Sequence, residues 1–345
     1  MRRFTAWSRP LTVLAVLAVV GIAGAACTDV KDSLDDADKA LSRGLNGDGT
    51  PGASFEQEGL TGTALANAIY ERGLQLQSEG KETEAFKYFL DAAERGSGPA
   101  AYDLGEAYNA GRGVDIDINA GSKWINTAAS RGEPRAQYAV GAALYKGAGV
   151  EKDYTRAVRY LGNAASQGHA GAQYLLGECY ANGRGVTKNL PWAARWYGKA
   201  AAQGHPEGAF SYGVVQAAGL GLPTNLASGY AWLAIASDRG HNTAGEVRAA
   251  IANKMTAAEL EAGKRRAKTF AQETDEAFAD KATVMYVQYS LNQLGFNAGP
   301  VDGLVGRRTR SAIKAYLTSI GDGGGANDVN PALLQSLFEG QQNST

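Results

Sequence analysis

Large apolar residues recur along this chain with a period of 36 between residues 100 and 243. Tyr102, Tyr138, Tyr174 and Phe210 mark the first half of each copy, and Trp124, Tyr160, Trp196 and Trp232 the second. Small residues keep the same register, as Ala128, Ala164, Ala200 and Ala236 do. Spacings of three and four between the apolar positions predict two amphipathic helices per copy, in copies 100–135, 136–171, 172–207 and 208–243. Asp117, Asp153, Asn189 and Asn225 stand just before the second apolar run, where a short polar side chain can accept from unpaired helical amides. Gly132, Gly168, Gly204 and Gly240 end that second helix, and glycine pairs such as Gly111 and Gly113 make the turn between the two helices.

Glycine also recurs inside the first helix, at Gly105, Gly141, Gly177 and Gly213. Each costs about 1 kcal/mol against alanine in a helix interior, so a cost repeated in register predicts a close approach of two helices. A single pair cannot bury its own aromatic stripe, and neighbouring pairs must therefore stack. The predicted fold is all-α, an α/α superhelical solenoid of helix–turn–helix repeats. An earlier stretch, 68–99, fits the same pattern with a turn four residues shorter.

The order A-x-Y-x-L-G-x-x-Y-x-x-G-x-G-V, followed by A-x-x-W-x-x-x-A-A-x-x-G-H, resembles the Sel-one-like repeat, a relative of the tetratricopeptide repeat, over about half the chain. The resemblance implies five repeats over 63–243, a scaffolding role, and a groove lined by the first helices that holds a protein partner. Glu106, Ala142, Glu178 and Val214 differ between copies and are candidate groove positions. The alanine-rich, charged stretch 244–282 is expected to be a helical cap and linker, with its charges on a solvated face.

Beyond it the pattern changes. Val284, Val287, Leu291 and Leu294 have helical spacing, Gly295 and Phe296 stop that helix, and Gly299-Pro300-Val301-Asp302-Gly303 makes turns. A second helix is predicted from about Thr309 to Thr318, and a third from Pro331 with Asn330 as its cap. Residues 283–340 thus read as a small three-helix bundle. The order V-x-x-x-Q-x-x-L-x-x-L-G-F-x-x-G-P-V-D-G-x-x-G-x-x-T-x-x-A-I resembles the peptidoglycan-binding domain found at the ends of cell-wall proteins. Carried over position by position, that resemblance makes Gln288, Pro300, Asp302, Gly303 and Thr309 the candidates for peptidoglycan contact. Pro300, Asp302 and Gly303 are also turn formers in their own right. Tyr316-Leu317 departs from the family's Phe-Gln, and Gly323-Gly324-Gly325 enlarges a loop.

At the other end, three arginines precede the uncharged run Leu11 to Ala23, which leads into Gly24-Ala25-Ala26-Cys27. Basic end, apolar helix and small residues in that order predict an export signal over 1–26, because the run is short for a span of about 20 residues. The junction resembles a bacterial lipobox, with Gly24 where the family usually carries a branched residue. The resemblance implies lipid attachment at Cys27, a membrane anchor, and, from Thr28 after it, the periplasmic side of the outer membrane. Ordinary cleavage to a soluble periplasmic protein is the alternative. Residues 27–62 are rich in Asp, Gly, Ser and Thr and read as a flexible tether. Asn46-Gly47-Asp48-Gly49 is no calcium loop, since Pro51 stands where the sharp-turn glycine belongs.

Charge adds little to this picture. Lys+Arg 34 against Asp+Glu 35 gives a formal charge of -1, and loss of Arg2, Arg3 and Arg9 with the signal moves it to -4, which points away from nucleic acid. The two cysteines, Cys27 and Cys179, cannot staple the fold, and Cys179 aligns with Ala107, Ala143 and Val215, as a core thiol would. His169, His205 and His241 share one repeat position, too far apart to converge on a metal. No acid pair, nucleophile set or phosphate loop is recognisable, so neither an enzyme nor a cofactor is expected. The sequence reads as a cell-envelope adaptor whose repeats hold a protein and whose last domain binds peptidoglycan. The alternative is a soluble periplasmic regulator that restrains a sensor or enzyme through the repeat groove.

Overall fold

The computed structural model describes residues 61–270, 275–322 and 328–342. The expected signal, Cys27 and most of the tether lie outside the described residues, as do Gly323-Gly324-Gly325. Every regular element among the described residues is an α-helix. No helix there is long and apolar enough to cross a membrane. The chain divides into two compact units, one ending at Ala164 and the other beginning at Ala165.

The first unit contains α1 (Gly62–Ser78), α2 (Glu82–Glu94), α3 (Gly98–Ala110), α4 (Ile118–Ser130), α5 (Pro134–Lys146) and most of α6 (Tyr154–Ser166). They form three helix pairs whose core is made of alanines and single large residues such as Phe89, Leu104, Ile125 and Leu161, all essentially inaccessible. The repeated glycines explain how the two helices of a pair come so close. A Cβ on Gly105 would lie 2.7 Å from Ile125 Cγ1 and 2.9 Å from the Gly121 carbonyl oxygen, and one on Gly141 would lie 2.9 Å from Leu161 Cγ. The turn glycine Gly113 has φ +71, and a Cβ there would collide with the Glu82 carbonyl of the preceding pair. Only glycine satisfies both demands.

The second unit holds α7 (Ala170–Asn182), α8 (Leu190–Ala202), α9 (Pro206–Ala218), α10 (Leu226–Asp238), α11 (Ala244–Ala252), α12 (Ala257–Phe270), α13 (Asp275–Gln293), α14 (Arg307–Ser319) and α15 (Pro331–Gln342). Helices α7 to α10 are two further pairs of the same kind, with Gly177 and Gly213 set against Tyr197 and Leu233. The stretch after them folds back on the second helices of these pairs: α12 lies on α10, and α13 lies on α8. Gly198 permits the second contact, since a Cβ there would sit 2.5 Å from that of Ala282. Helix α13 is continuous across the expected division at 282/283. Ala282 packs in the core of the pairs, while Tyr286, Val287 and Leu291 on the same helix belong to the bundle core with Ile313, Leu317, Leu333 and Leu337. The bundle is therefore built onto the second unit by a shared helix.

Capping follows the local chemistry. Asp117 Oδ1 accepts from Ala120 N at 2.9 Å, Asn189 Oδ1 from Trp192 N at 2.9 Å and Asn225 Oδ1 from Ser228 N at 2.9 Å. In the bundle, Asn330 Oδ1 accepts from Leu333 N at 2.9 Å, and Pro331 opens the helix.

Candidate functional site

The bundle's signature loop is organised around one side chain. Gln288, on α13, is 1 % exposed, and both ends of its amide are occupied. Its Nε2 donates to Asp302 Oδ1 at 2.9 Å, to the Leu304 carbonyl at 3.0 Å and to Thr309 Oγ1 at 3.3 Å. Its Oε1 accepts from Asp302 N at 3.1 Å and from Gly303 N at 2.9 Å. Thr309 is equally buried and donates from Oγ1 to the Ala298 carbonyl at 3.1 Å. Asn292 closes the other side, donating to the Gly299 carbonyl at 2.9 Å and accepting from Ala298 N at 2.8 Å.

Each neutral bond of this kind contributes about 1 kcal/mol net, and breaking one inside the bundle leaves a buried group unsatisfied at about 1–3 kcal/mol. The five candidates of the signature are therefore brought together, but in two different roles. Gln288, Gly303 and Thr309 are buried and hold the loop's shape. Pro300 and Asp302 reach the surface. Asp302 is partly committed, because its Oδ1 also accepts from Leu304 N at 2.9 Å. Asn292 belongs to the same staple, and the signal for it is its place one turn after Gln288 on the same helix face.

On the helix pairs of the first unit, the first helices carry a chain of polar contacts that joins successive repeats. Tyr70 on α1 donates to Asp103 on α3 at 2.6 Å, and Arg135 on α5 donates to the other oxygen of Asp103 at 2.9 Å. Arg135 also bonds Glu133 at 2.7 Å, and its guanidinium lies 4.6 Å from the centre of the Tyr102 ring. Burial pushes the Tyr102 hydroxyl up to about 12 and raises the Glu106 carboxyl above its ordinary range. The candidate groove positions are uneven. Ala142 is buried, Glu106 and Val214 are half-buried, and Glu178 turns to its own second helix, where Tyr197 Oη donates to it at 2.6 Å.

The histidines have a structural role. His169 Nδ1 accepts from Ala172 N at 3.2 Å, and His205 Nδ1 accepts from Gly208 N at 3.2 Å. Both are N-caps of the next repeat's first helix, the place held by Ser97 and Glu133 earlier in the chain. His205 stacks on Tyr174 with ring centres 5.2 Å apart, and His241 on Phe210 at 4.1 Å. Burial lowers the His205 pKa, while Glu207, half exposed at 3.3 Å, pulls it the other way. The downward direction agrees with the geometry, because an Nδ1 that accepts an amide proton carries none itself. Among the described residues no cluster of His, Cys, Asp or Glu is placed to hold a metal. Cys179 is buried, and burial pushes its thiol up to about 12.

Arg195, on α8, is the outlier. The same repeat position holds Lys123 and Arg159, both exposed, whereas Arg195 is 8 % exposed beneath α13. Its guanidinium lies 4.6 Å from both the Trp192 and Trp196 rings, and Nε and Nη1 have no hydrogen-bond partner. Burial pushes its pKa down to about 10.

Comparison with known proteins places these features. The Sel1 repeat model matches five consecutive segments, 63–97, 98–133, 134–169, 170–205 and 206–241. A model described as a peptidoglycan binding domain matches residues 280–316. No curated protein matches the chain. Among solved structures, a protective antigen present in uropathogenic Escherichia coli strains and displaying an SLR fold is 28 % identical, with a TM-score of 0.54. The match covers 63 % of this chain and 47 % of that one, so this chain spans about half the length of that protein. A Sel1 repeat protein from Oxalobacter formigenes is 26 % identical over 62 % of this chain and 91 % of its own, with a TM-score of 0.49.

Proposed function

Because the chain belongs to the Sel1 repeat family, we propose that it is a cell-envelope adaptor, in which the repeats hold a protein partner and the C-terminal bundle binds peptidoglycan. One observation carries this reading: five repeats of an interaction scaffold and a peptidoglycan-binding module lie on one chain, and within the second unit the helix pairs and the bundle share helix α13. The role we assign to the repeats is scaffolding. The conspicuous polar groups of the repeats are structural: His169 and His205 cap helices, and the Tyr70–Asp103–Arg135 chain joins repeats. The export signal over 1–26 and lipid attachment at Cys27 belong to the same proposal and place the protein in the periplasm, tethered to the outer membrane.

Sedimentation of the purified full-length protein with cell-wall sacculi tests the wall-binding half; protein that stays in the supernatant defeats it. Crosslinking pull-down from envelopes tests the other half and names the partner. Fatty-acid labelling tests the tether, and incorporation that persists in Cys27→Ala rules that cysteine out.

A further inference from the structure

The buried signature of the bundle holds a loop, so recognition falls to what that loop and its neighbours expose. Gln288 and Thr309, at 1 % and 2 % exposure and with their polar atoms engaged, cannot reach a ligand. Just beyond the loop, α14 begins Arg307-Arg308-Thr309-Arg310, with Lys314 a turn later, and all four cations are exposed. Arg307, Arg310 and Lys314 fall within about 60° of one another around the helix and span about 10 Å along it. Thr309, Ile313 and Tyr316, on the opposite side, are buried. The first turn of α14 contains no acid, and its N-cap, Gly306, supplies no side-chain acceptor. Among the described residues the stripe has one ion pair, between Arg310 and Asp328 at 3.7 Å, and that carboxylate is 74 % exposed. Leu304, 61 % exposed, stands at the head of the stripe and is fixed there by Asp302 and Gln288.

We infer that Arg307, Arg310 and Lys314, with Leu304 beside them, form the wall-contacting surface of the bundle and bind the carboxylates of peptidoglycan stem peptides. The inference rests on the proposed function and adds the subsite and its chemistry. Peptidoglycan carries its negative charge on the peptide stems, and guanidinium forks suit carboxylates. A single row about 10 Å long fits a short extended peptide of about three residues. Residues 283–342 contain four cations and four carboxylates, so the module as a whole is not a general polyanion binder, as a domain built for a phospholipid surface would be.

The test uses the full-length protein, purified sacculi, and the triple variant Arg307→Gln/Arg310→Gln/Lys314→Gln, whose changes lie on the exposed face and should leave the thermal midpoint unaltered. The variant is expected to pellet with about tenfold lower affinity and to lose most of the salt dependence of the wild type. Wild-type protein on sacculi whose carboxylates have been amidated with carbodiimide should show the same loss. Wild type that pellets normally, together with a variant of equal affinity and equal salt dependence, overturns the stripe while leaving wall binding intact. Wild type that fails to pellet at all overturns the proposed function and the stripe with it. Stripe-dependent binding to phosphatidylglycerol vesicles in place of sacculi overturns the choice of ligand.

Discussion

The same substitution, glycine to alanine, should have opposite signs at two helical positions of the first unit. Gly162 lies in α6, and a Cβ there meets nothing within 4 Å. Alanine at that site gains its helix propensity without a clash, and Gly162→Ala should stabilise the protein by about 1 kcal/mol. Gly105 lies in α3, where the added Cβ would sit 2.7 Å from Ile125 Cγ1, 2.9 Å from the Gly121 carbonyl oxygen and 3.1 Å from Ile125 N. Two of those three atoms are backbone and cannot rotate aside, so α3 and α4 must separate. Overpacking of this kind costs about 1–3 kcal/mol, and because loosening the pair also disturbs the next one, we expect the upper part of that range after the propensity gain is set against it. Urea unfolding of both variants, with equal slopes, reads the two signs directly. A Gly105→Ala protein as stable as Gly162→Ala would show that the repeated glycine does not mark a close helix pair, and the packing argument would fail with it.

Three further outcomes follow from particular side chains. Gln288→Leu keeps the volume of the side chain but strands the Asp302 and Gly303 amides, and should destabilise the bundle by about 3 kcal/mol, seen as faster hydrogen exchange at 302–304; unchanged protection there would contradict the staple. Arg195→Met removes a buried cation that lies against two indole rings and should raise the free energy of unfolding by about 1–2 kcal/mol, whereas a clear fall would show that the indole contacts outweigh the desolvation. His205 has its pKa lowered from 6.5 by burial, so its contribution is complete above that value and is lost as pH falls through the lower, folded value. Urea midpoints measured between pH 7.5 and pH 5 should therefore drop less in His205→Asn, which keeps a capping side chain, than in the wild type; equal drops would remove His205 from the account.

Much of this architecture is legible in the sequence because each repeat solves the same local problem 36 residues later. Asp117, Asn189 and Asn225 are readable as caps from their place before an apolar run, and Gly105 and its equivalents from a propensity cost that no isolated helix would carry. The histidines were harder to read. Their role becomes visible only when Ser97 and Glu133 are set in the same column, since imidazole is an unusual cap and its Nδ1 must be unprotonated to serve. Arg195 was not readable, because Lys123 and Arg159 in the same column are solvated, and what buries it is a helix some 80 residues later. Helix α13 was unreadable for a related reason: apolar periodicity shows a helix with Val287 and Leu291 on its core face, but not that the same helix already packs on α8 through Ala282. The signature residues Gln288 and Thr309 were identified by position, yet their burial depends on how a turn folds over them, and a spacing pattern does not say which of its members touch a ligand.

The adaptor reading requires that one molecule hold the wall and a partner at once, the partner on the first helices of the repeats. A photo-crosslinking phenylalanine derivative placed at Tyr102 on α3, or at Tyr160 on α6 as a control, tests this in intact envelopes. The account predicts a discrete adduct from position 102 and none from 160, and predicts that the adduct sediments with sacculi together with the chain. An adduct from 160 alone, or one that stays in the supernatant while the uncrosslinked chain pellets, would contradict it.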